Sequence, residues 1–370
     1  MSMTIRASAA LFWVGLVGCA PEPKAAQPAA GYPADPRIDR LVDSLRVARK
    51  IPAVSVAVMR DGAIVHAQGY GYANVEHQAK ATAETIYQSG SVGKQFTATL
   101  IMMLVEDGKL GLDDPIRKHL PEAPKSWDRI TIRQMLSHTS GLGDYPDSMN
   151  YRWDYNEDQL LRIVYQSPLL FAPGAKWAYS NLAYLTLGAM VRRVTGTFYG
   201  DLLAERIFKP LGMATKIISE SDIVPRRAAG YVLKDGVLKN QDWVSSSLNS
   251  TADGALYFTV LDLAKWDAAL GSERLVKKRV LEQMWTPVKL NDGSTYPYGF
   301  GWAIGGGSSH RLVEHSGGWQ GFLTHIVRYL DDRVTVVVLV NLAAPDSKPG
   351  DIAHQIAELV EPSLKAKPVP

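Results

Sequence analysis

The sequence predicts an α/β protein of the α+β type: an antiparallel sheet built from both chain ends, flanked by helices, with a mostly helical region inserted between them. Two observations lead there. Strand-like runs gather near the start, at Val54 to Met59 and Ala63 to Tyr70, and again after residue 299. The roughly two hundred residues between carry helical rather than alternating periodicity, and no period of 20 to 50 residues marks a repeat architecture.

Taken in order, Ile38, Leu41, Val42 and Leu45 have the i, i+3, i+4, i+7 spacing of an amphipathic helix, which Pro52 closes off. Asp61-Gly62 supplies a hairpin turn between the first two strands. The inserted region contains predicted helices from Lys94 to Glu106 ended by Gly108, from Leu182 to Val194 ended by Gly196, and from Val260 to Leu270. The last opens on a capping box, Thr259 with Asp262. The sheet then resumes with Gly299 to Ile304, Arg311 to His315, Gly321 to Tyr329 and Val334 to Val340, the last two joined through Asp331-Asp332. A helix from about Asp351 to Val360 closes the chain.

Composition excludes several classes of function. Forty basic against 37 acidic side chains leave a formal charge of +3, with no run of like charges, so nucleic acid is not an expected partner. The single cysteine, Cys19, forms no internal disulfide, redox pair or thiolate zinc site. The histidines, among them His66, His310 and His325, show no HExxH or clustered carboxylate spacing, so neither a metal nor a cofactor is expected.

Residues 1–18 have the plan of a signal peptide: Arg6, about twelve apolar residues from Ala7 to Gly18, then small residues. That stretch is too short to span a bilayer. Leu16-Val17-Gly18-Cys19 resembles a bacterial lipobox, which makes Cys19 the expected lipid attachment point; the other reading is a plain signal peptide with a chance cysteine nearby. With Ala20 next, the resemblance implies a lipoprotein on the periplasmic face, sorted to the outer membrane. Residues 19–36, rich in Pro and Ala, read as a tether, residues 37–362 as the folded domain and residues 363–370 as a tail.

The chemistry centres on Ser91-Val92-Gly93-Lys94, the only SxxK in the chain. If Ser91 opens the helix that follows, Lys94 lies one turn on and on the same face, within reach of the serine hydroxyl. A helix N-terminus also offers backbone N–H groups and a positive dipole end to an oxyanion. The pattern alone is weak, and a capping serine beside a surface lysine is the competing reading. Two further elements follow in order: Tyr179-Ser180-Asn181 on a turn before a helix, and His315-Ser316-Gly317-Gly318 at the end of a predicted strand, where the diglycine admits a close backbone approach.

The order SxxK, YxN, HxG resembles the β-lactamase/penicillin-binding-protein-like serine hydrolases, a family that includes class C β-lactamases, D-Ala-D-Ala carboxypeptidases, D-aminopeptidases and family VIII carboxylesterases. The runs Gly69-Tyr70-Gly71-Tyr72-Ala73-Asn74, Leu136-Ser137-His138-Thr139-Ser140-Gly141-Leu142 and Ser250-Thr251-Ala252 extend the likeness over most of residues 38–345. The resemblance implies a β-lactamase/transpeptidase-like fold and an acyl-enzyme on Ser91, with Lys94 and Tyr179 as catalytic partners and either of them as the base. It implies that Asn181 binds the acyl-side amide, that the N–H groups of Ser91 and Gly318 form the oxyanion hole, and that Gly317 and His315 bind substrate. Histidine at 315, where class C enzymes carry lysine, points away from efficient β-lactam hydrolysis and towards a weaker, pH-dependent hold on a substrate carboxylate. Expected substrates are D-amino-acid peptides of cell-wall type, with carboxylesterase activity or a slow penicillin-binding role as alternatives. Tyr72-Ala73-Asn74 and His138 are expected to be structural, and Trp319 and Phe322 to line either a pocket or the core.

Overall fold

A computed structural model describes residues 31–217, 222–307 and 310–365. The signal peptide, Cys19 and most of the tether lie outside the described residues. The described residues from Tyr32 onward form one unit.

Its centre is a seven-stranded antiparallel sheet of β1 (Ala53–Arg60), β2 (Ala63–Asn74), β3 (Ala79–Lys80), β4 (Ala303–Gly305), β5 (Leu312–Trp319), β6 (Phe322–Tyr329) and β7 (Val334–Val340), in spatial order β4-β5-β6-β7-β1-β2-β3. The two chain ends meet where β1 lies between β7 and β2, with Val54 opposite both Val340 and Tyr70. Strand alternation sorts the side chains. Val54, Val56, Val58, Val336 and Val338 face one side, where Ile38 and Val42 of α1 (Pro36–Ala48) and Ile352 and Ile356 of the C-terminal helix, Pro349–Val360, cover them. Ala53, Ala57, Met59, Val337 and Leu339 face the other, against the inserted helical region.

That region contains α2 (Lys94–Glu106), α3 (Asn181–Thr195) and α4 (Val260–Leu270), with the C-terminal helix becoming α5. Phe96 of α2 packs 4.3 Å from Trp266 of α4, centroid to centroid. The Thr259–Asp262 capping box is present, and Gly196 ends α3 with a φ of 74°, a left-handed conformation in which glycine avoids a Cβ clash. No helix among the described residues is long and apolar enough to cross a membrane.

Three boundaries differ from the sequence expectation. The first body contact comes before α1: Pro33 O accepts from Ala67 N–H at 3.1 Å, and Asp35 N–H donates to His66 Nδ1 at 3.0 Å. The last residues of the expected tether are therefore fastened to β2. At the other end, β5 does not stop at His315 but runs on to Trp319, because Gly317 and Gly318 keep pairing with Thr324 and Leu323 of β6. Finally, Ser91 does not open the α-helix; it sits in a 3-10 turn, Gly90–Gly93, that feeds into α2 at Lys94.

Candidate active site

Ser91 is held from behind by Ser89. The Ser89 N–H donates to Leu256 O at 2.7 Å, its hydroxyl accepts from Leu256 N–H at 3.1 Å, and its carbonyl accepts from the Thr324 hydroxyl at 2.6 Å. The serine turn is thus tied to the sheet through β6. The short β4 pairs only with Leu312 to Glu314, so β5 from His315 onward extends past it and lies against the Ser91 turn.

Glycine is required at that junction. A Cβ on Gly317 would lie 2.2 Å from Ser89 O and 3.0 Å from Ser91 N, and one on Gly90 would lie 2.4 Å from Gly318 N. Only bare backbone at both positions lets the serine turn and β5 pack this closely.

Lys94 Nζ is fully buried and makes three short contacts: 2.9 Å to Ser91 Oγ, 2.7 Å to Asn181 Oδ1 and 2.6 Å to the Asp253 carbonyl. Burial drives its pKa down to about 8, with the charges of Asp253 and Asp144 opposing that fall. Asn181 is the first residue of α3. It is placed there because the Ser180 hydroxyl caps the helix, accepting from Ala183 N–H at 3.0 Å. The other end of its amide donates to Asp144 Oδ1 at 2.9 Å.

Tyr179 is half-buried beside these groups, with its hydroxyl buried and its ring centroid 4.9 Å from Lys94 Nζ. Its hydroxyl has no hydrogen-bond partner of standard geometry among the described residues. Burial raises its pKa well above the ordinary tyrosine value, and the neighbouring Ser91 hydroxyl only partly offsets this. At neutral pH the side chain is therefore a protonated phenol.

Behind Tyr179 lies a chain of hydrogen bonds whose direction follows from its two ends. Ser180 N–H donates to His138 Nδ1 at 3.1 Å, so the proton of that ring is on Nε2. His138 Nε2 then donates to the Tyr298 hydroxyl at 3.2 Å, and Tyr298 donates to His315 Nε2 at 2.8 Å. His315 Nδ1 completes the chain by donating to Ser316 O at 2.6 Å. The His138 ring also packs 4.3 Å from that of Tyr179.

Both rings are neutral. Burial, reinforced by the Lys94 charge, lowers the pKa of His138 far below the ordinary value and that of His315 to about 3. The expected pH-dependent hold on a carboxylate is thus absent from His315 near neutrality, and both of its nitrogens are already engaged.

The structure therefore brings Ser91, Lys94, Tyr179, Asn181, His315, Gly317 and Gly318 into one site. Trp319 and Phe322 part company: Phe322 is core, while the half-buried Trp319 donates its indole N–H to Asn249 Oδ1 at 2.7 Å. Tyr72-Ala73-Asn74 lies on β2, where Asn74 Oδ1 accepts from His77 N–H, a local turn contact. Sequence reasoning missed the Asp253 carbonyl, Asp144 and Tyr298. Their sequence distances to Lys94 and His315 carry no periodic signal.

A family model described as Beta-lactamase matches residues 38–361. The chain belongs to the beta-lactamase family. Penicillin-binding protein 4* of Bacillus subtilis (strain 168) is 31% identical over 307 residues, covering 78% of this chain and 67% of that protein. A D-aminopeptidase of Gluconobacter oxydans (strain 621H) is 26% identical over 312 residues, 82% of this chain and 58% of that protein. Among solved structures, an octameric penicillin-binding protein homologue from Pyrococcus abyssi superposes with a TM-score of 0.78 at 30% identity, covering 88% of this chain and 77% of the other. The D-amino acid amidase of Ochrobactrum anthropi SV3 complexed with L-phenylalanine amide gives a TM-score of 0.75 at 26% identity, covering 89% and 100%. As a beta-lactamase-family member with such relatives, the protein is a serine hydrolase of the β-lactamase/penicillin-binding-protein group.

Proposed function

We propose that Ser91 is the nucleophile of an acyl-enzyme hydrolase whose best substrates are amides and short peptides of D-amino acids. The observation that carries this reading is the set of three contacts around Lys94 Nζ. A neutral amine has two N–H bonds and one lone pair. Asn181 Oδ1 and the Asp253 carbonyl can only accept, so they take the two N–H bonds and leave the lone pair directed at Ser91 Oγ. With its pKa lowered to about 8, a useful fraction of Lys94 is neutral near pH 7. Tyr179, protonated under the same conditions, is not available as the base and can only relay a proton that it regains from a neighbour.

In this reading Lys94 takes the Ser91 proton as Oγ attacks the carbonyl carbon, and the N–H groups of Ser91 and Gly318 receive the oxyanion. Each such donor contributes roughly 3 kcal/mol to the transition state. When the C–N bond breaks, Tyr179 passes a proton to the leaving amine and recovers one from the Lys94 ammonium. Water then cleaves the ester on Ser91. The choice of D-amino-acid amides over peptides with a free carboxylate rests on the neutral His315, which brings no charge to such a carboxylate, and on likeness to the D-aminopeptidase and the D-amino acid amidase.

Ser91→Ala should abolish covalent labelling by a fluorophosphonate or a fluorescent penicillin, and undiminished labelling would overturn the assignment. A substrate panel of D-phenylalanine amide, D-Ala-D-Ala peptides, p-nitrophenyl esters and β-lactams separates the classes. Esters turned over while every D-amide is refused would make the protein a carboxylesterase.

We further propose that the chain is exported and anchored through acylated Cys19 on the periplasmic face of a bacterial outer membrane. The Leu16-Val17-Gly18-Cys19 run and the Pro/Ala-rich residues after it support this.

A further inference from the structure

On the α5 side of the sheet, directly behind the strand that carries His315, the fold assembles three side chains distant in sequence. Glu314 of β5, His325 of β6 and His354 of α5 converge so that Glu314 Oε2 lies 3.0 Å from His325 Nε2 and 3.0 Å from His354 Nε2. No two of these three atoms are more than 4.8 Å apart. Strand alternation explains the placement. Glu314 points to the face opposite His315, and His325 sits across from Ser316 on that same face.

We propose that Glu314, His325 and His354 bind one divalent transition-metal ion of the zinc class, with water in the remaining position, and that the ion pins α5 to β5 and β6.

The donor set is the one such ions take: two imidazole nitrogens and one carboxylate oxygen. Ligand atoms around a tetrahedral zinc, each at ~2.1 Å, lie about 3.4 Å apart. The two glutamate–histidine separations need only a few tenths of an ångström of opening, and the two histidine nitrogens, within 4.8 Å of each other, settle to the same spacing around the ion. An outer contact is also in place: the Tyr329 hydroxyl lies 2.7 Å from His354 Nδ1 and fixes that ring with Nε2 towards Glu314. Metal binding at Nε2 moves the imidazole proton to Nδ1, and the Tyr329 hydroxyl can then accept instead of donate, so this bond survives with its direction reversed. His325 is almost fully buried, whereas Glu314 and His354 keep 27% and 35% of their side-chain surface exposed. That leaves an entry path and room for a bound water. The three side chains lie on the sheet face opposite His315, and none of them is hydrogen-bonded to Ser91, Lys94 or Tyr179.

The test uses the untagged full chain, stripped with a chelator and equilibrated with Zn²⁺. One equivalent should remain bound after dialysis, and the thermal midpoint should rise with zinc concentration. His325→Ala and His354→Ala should each weaken binding at least a hundredfold, and Tyr329→Phe about tenfold. Glu314→Gln keeps the side-chain shape and weakens binding by a factor of ten or more. It decides the matter should a histidine variant fail to fold, as judged by circular dichroism and by probe labelling of Ser91. His315→Asn should retain the ion, which separates this site from the catalytic face. Failure of the wild-type chain to take up an equivalent would overturn the proposal. So would uptake unchanged in the folded variants. Either result would leave the cluster as a histidine–carboxylate hydrogen-bond group that joins helix to sheet.

Discussion

The α-carbon of Gly317 approaches the Ser91 amide so closely that a single added methyl would sit 3.0 Å from that nitrogen and 2.2 Å from Ser89 O. Neither neighbour can retreat, because Ser89 is bonded on both sides, to Leu256 and to Thr324. Gly317→Ala should therefore push β5 away from the serine turn. We expect a loss of about 1–3 kcal/mol in stability and at least a tenfold fall in acylation rate, read by thermal melting and by stopped-flow labelling.

Acylation should follow the neutral form of Lys94. Single-turnover rates with an uncharged ester should rise with pH and reach half their maximum near pH 8. Lys94→Arg should not rescue activity, since a guanidinium stays protonated throughout this range. A flat profile between pH 6 and pH 9 would remove Lys94 from the role of base.

The same shift governs stability. Lys94 binds its proton less tightly when folded than when unfolded, so the ammonium costs stability at neutral pH. The cost disappears as pH climbs from about 8 towards the unfolded value of 10.5. It amounts to roughly 3 kcal/mol, one unit being about 1.4 kcal/mol. Measured against Lys94→Met, the wild type should thus gain stability between pH 8 and pH 10 in urea titrations. A difference that stays constant over that interval would contradict the buried, shifted lysine.

Tyr298→Phe should leave His138 Nε2 without an acceptor and His315 Nε2 without a donor in a buried setting. An unsatisfied buried group costs about 1–3 kcal/mol. We expect a lower melting temperature and a tenfold drop in kcat with KM nearly constant, because Tyr298 orients the wall behind Tyr179 rather than the substrate. The midpoint of the pH profile should not move.

Cys19→Ser should release the protein from the membrane fraction into the periplasm. Retention in the membrane would refute the lipid anchor.

Much of this was legible from the residues in order. The valine-rich β1 and β7 show themselves by composition, and Ser91 and Lys94 by their three-residue spacing on a turn entering a helix. What escaped was set by tertiary approach. The Asp253 carbonyl is a backbone group and has no residue-type signature, yet it helps orient Lys94. His138 was expected to be a turn residue, and its φ of 60° bears that out, but the same left-handed turn also lays its ring against Tyr179. Glu314, His325 and His354 lie on separate elements, so no linear spacing rule joins them. The neutrality of His315 is likewise a property of its burial, invisible in a motif written as HxG.

The pairing of β1 with β7 also bears on how the chain acquires its shape. Val54 can pair early with Tyr70 of β2 but finds its β7 partner only when Val340 has been synthesised, so the middle of the sheet cannot close before then. Contacts this remote in sequence make folding slow, and helices formed early have no sheet to settle on. Such a polypeptide stays open until β7 has left the ribosome, and it exposes unpaired strands to chaperones and proteases in the meantime. Premature truncation anywhere before β7 would leave a product that lacks the central strand pairing and is marked for degradation.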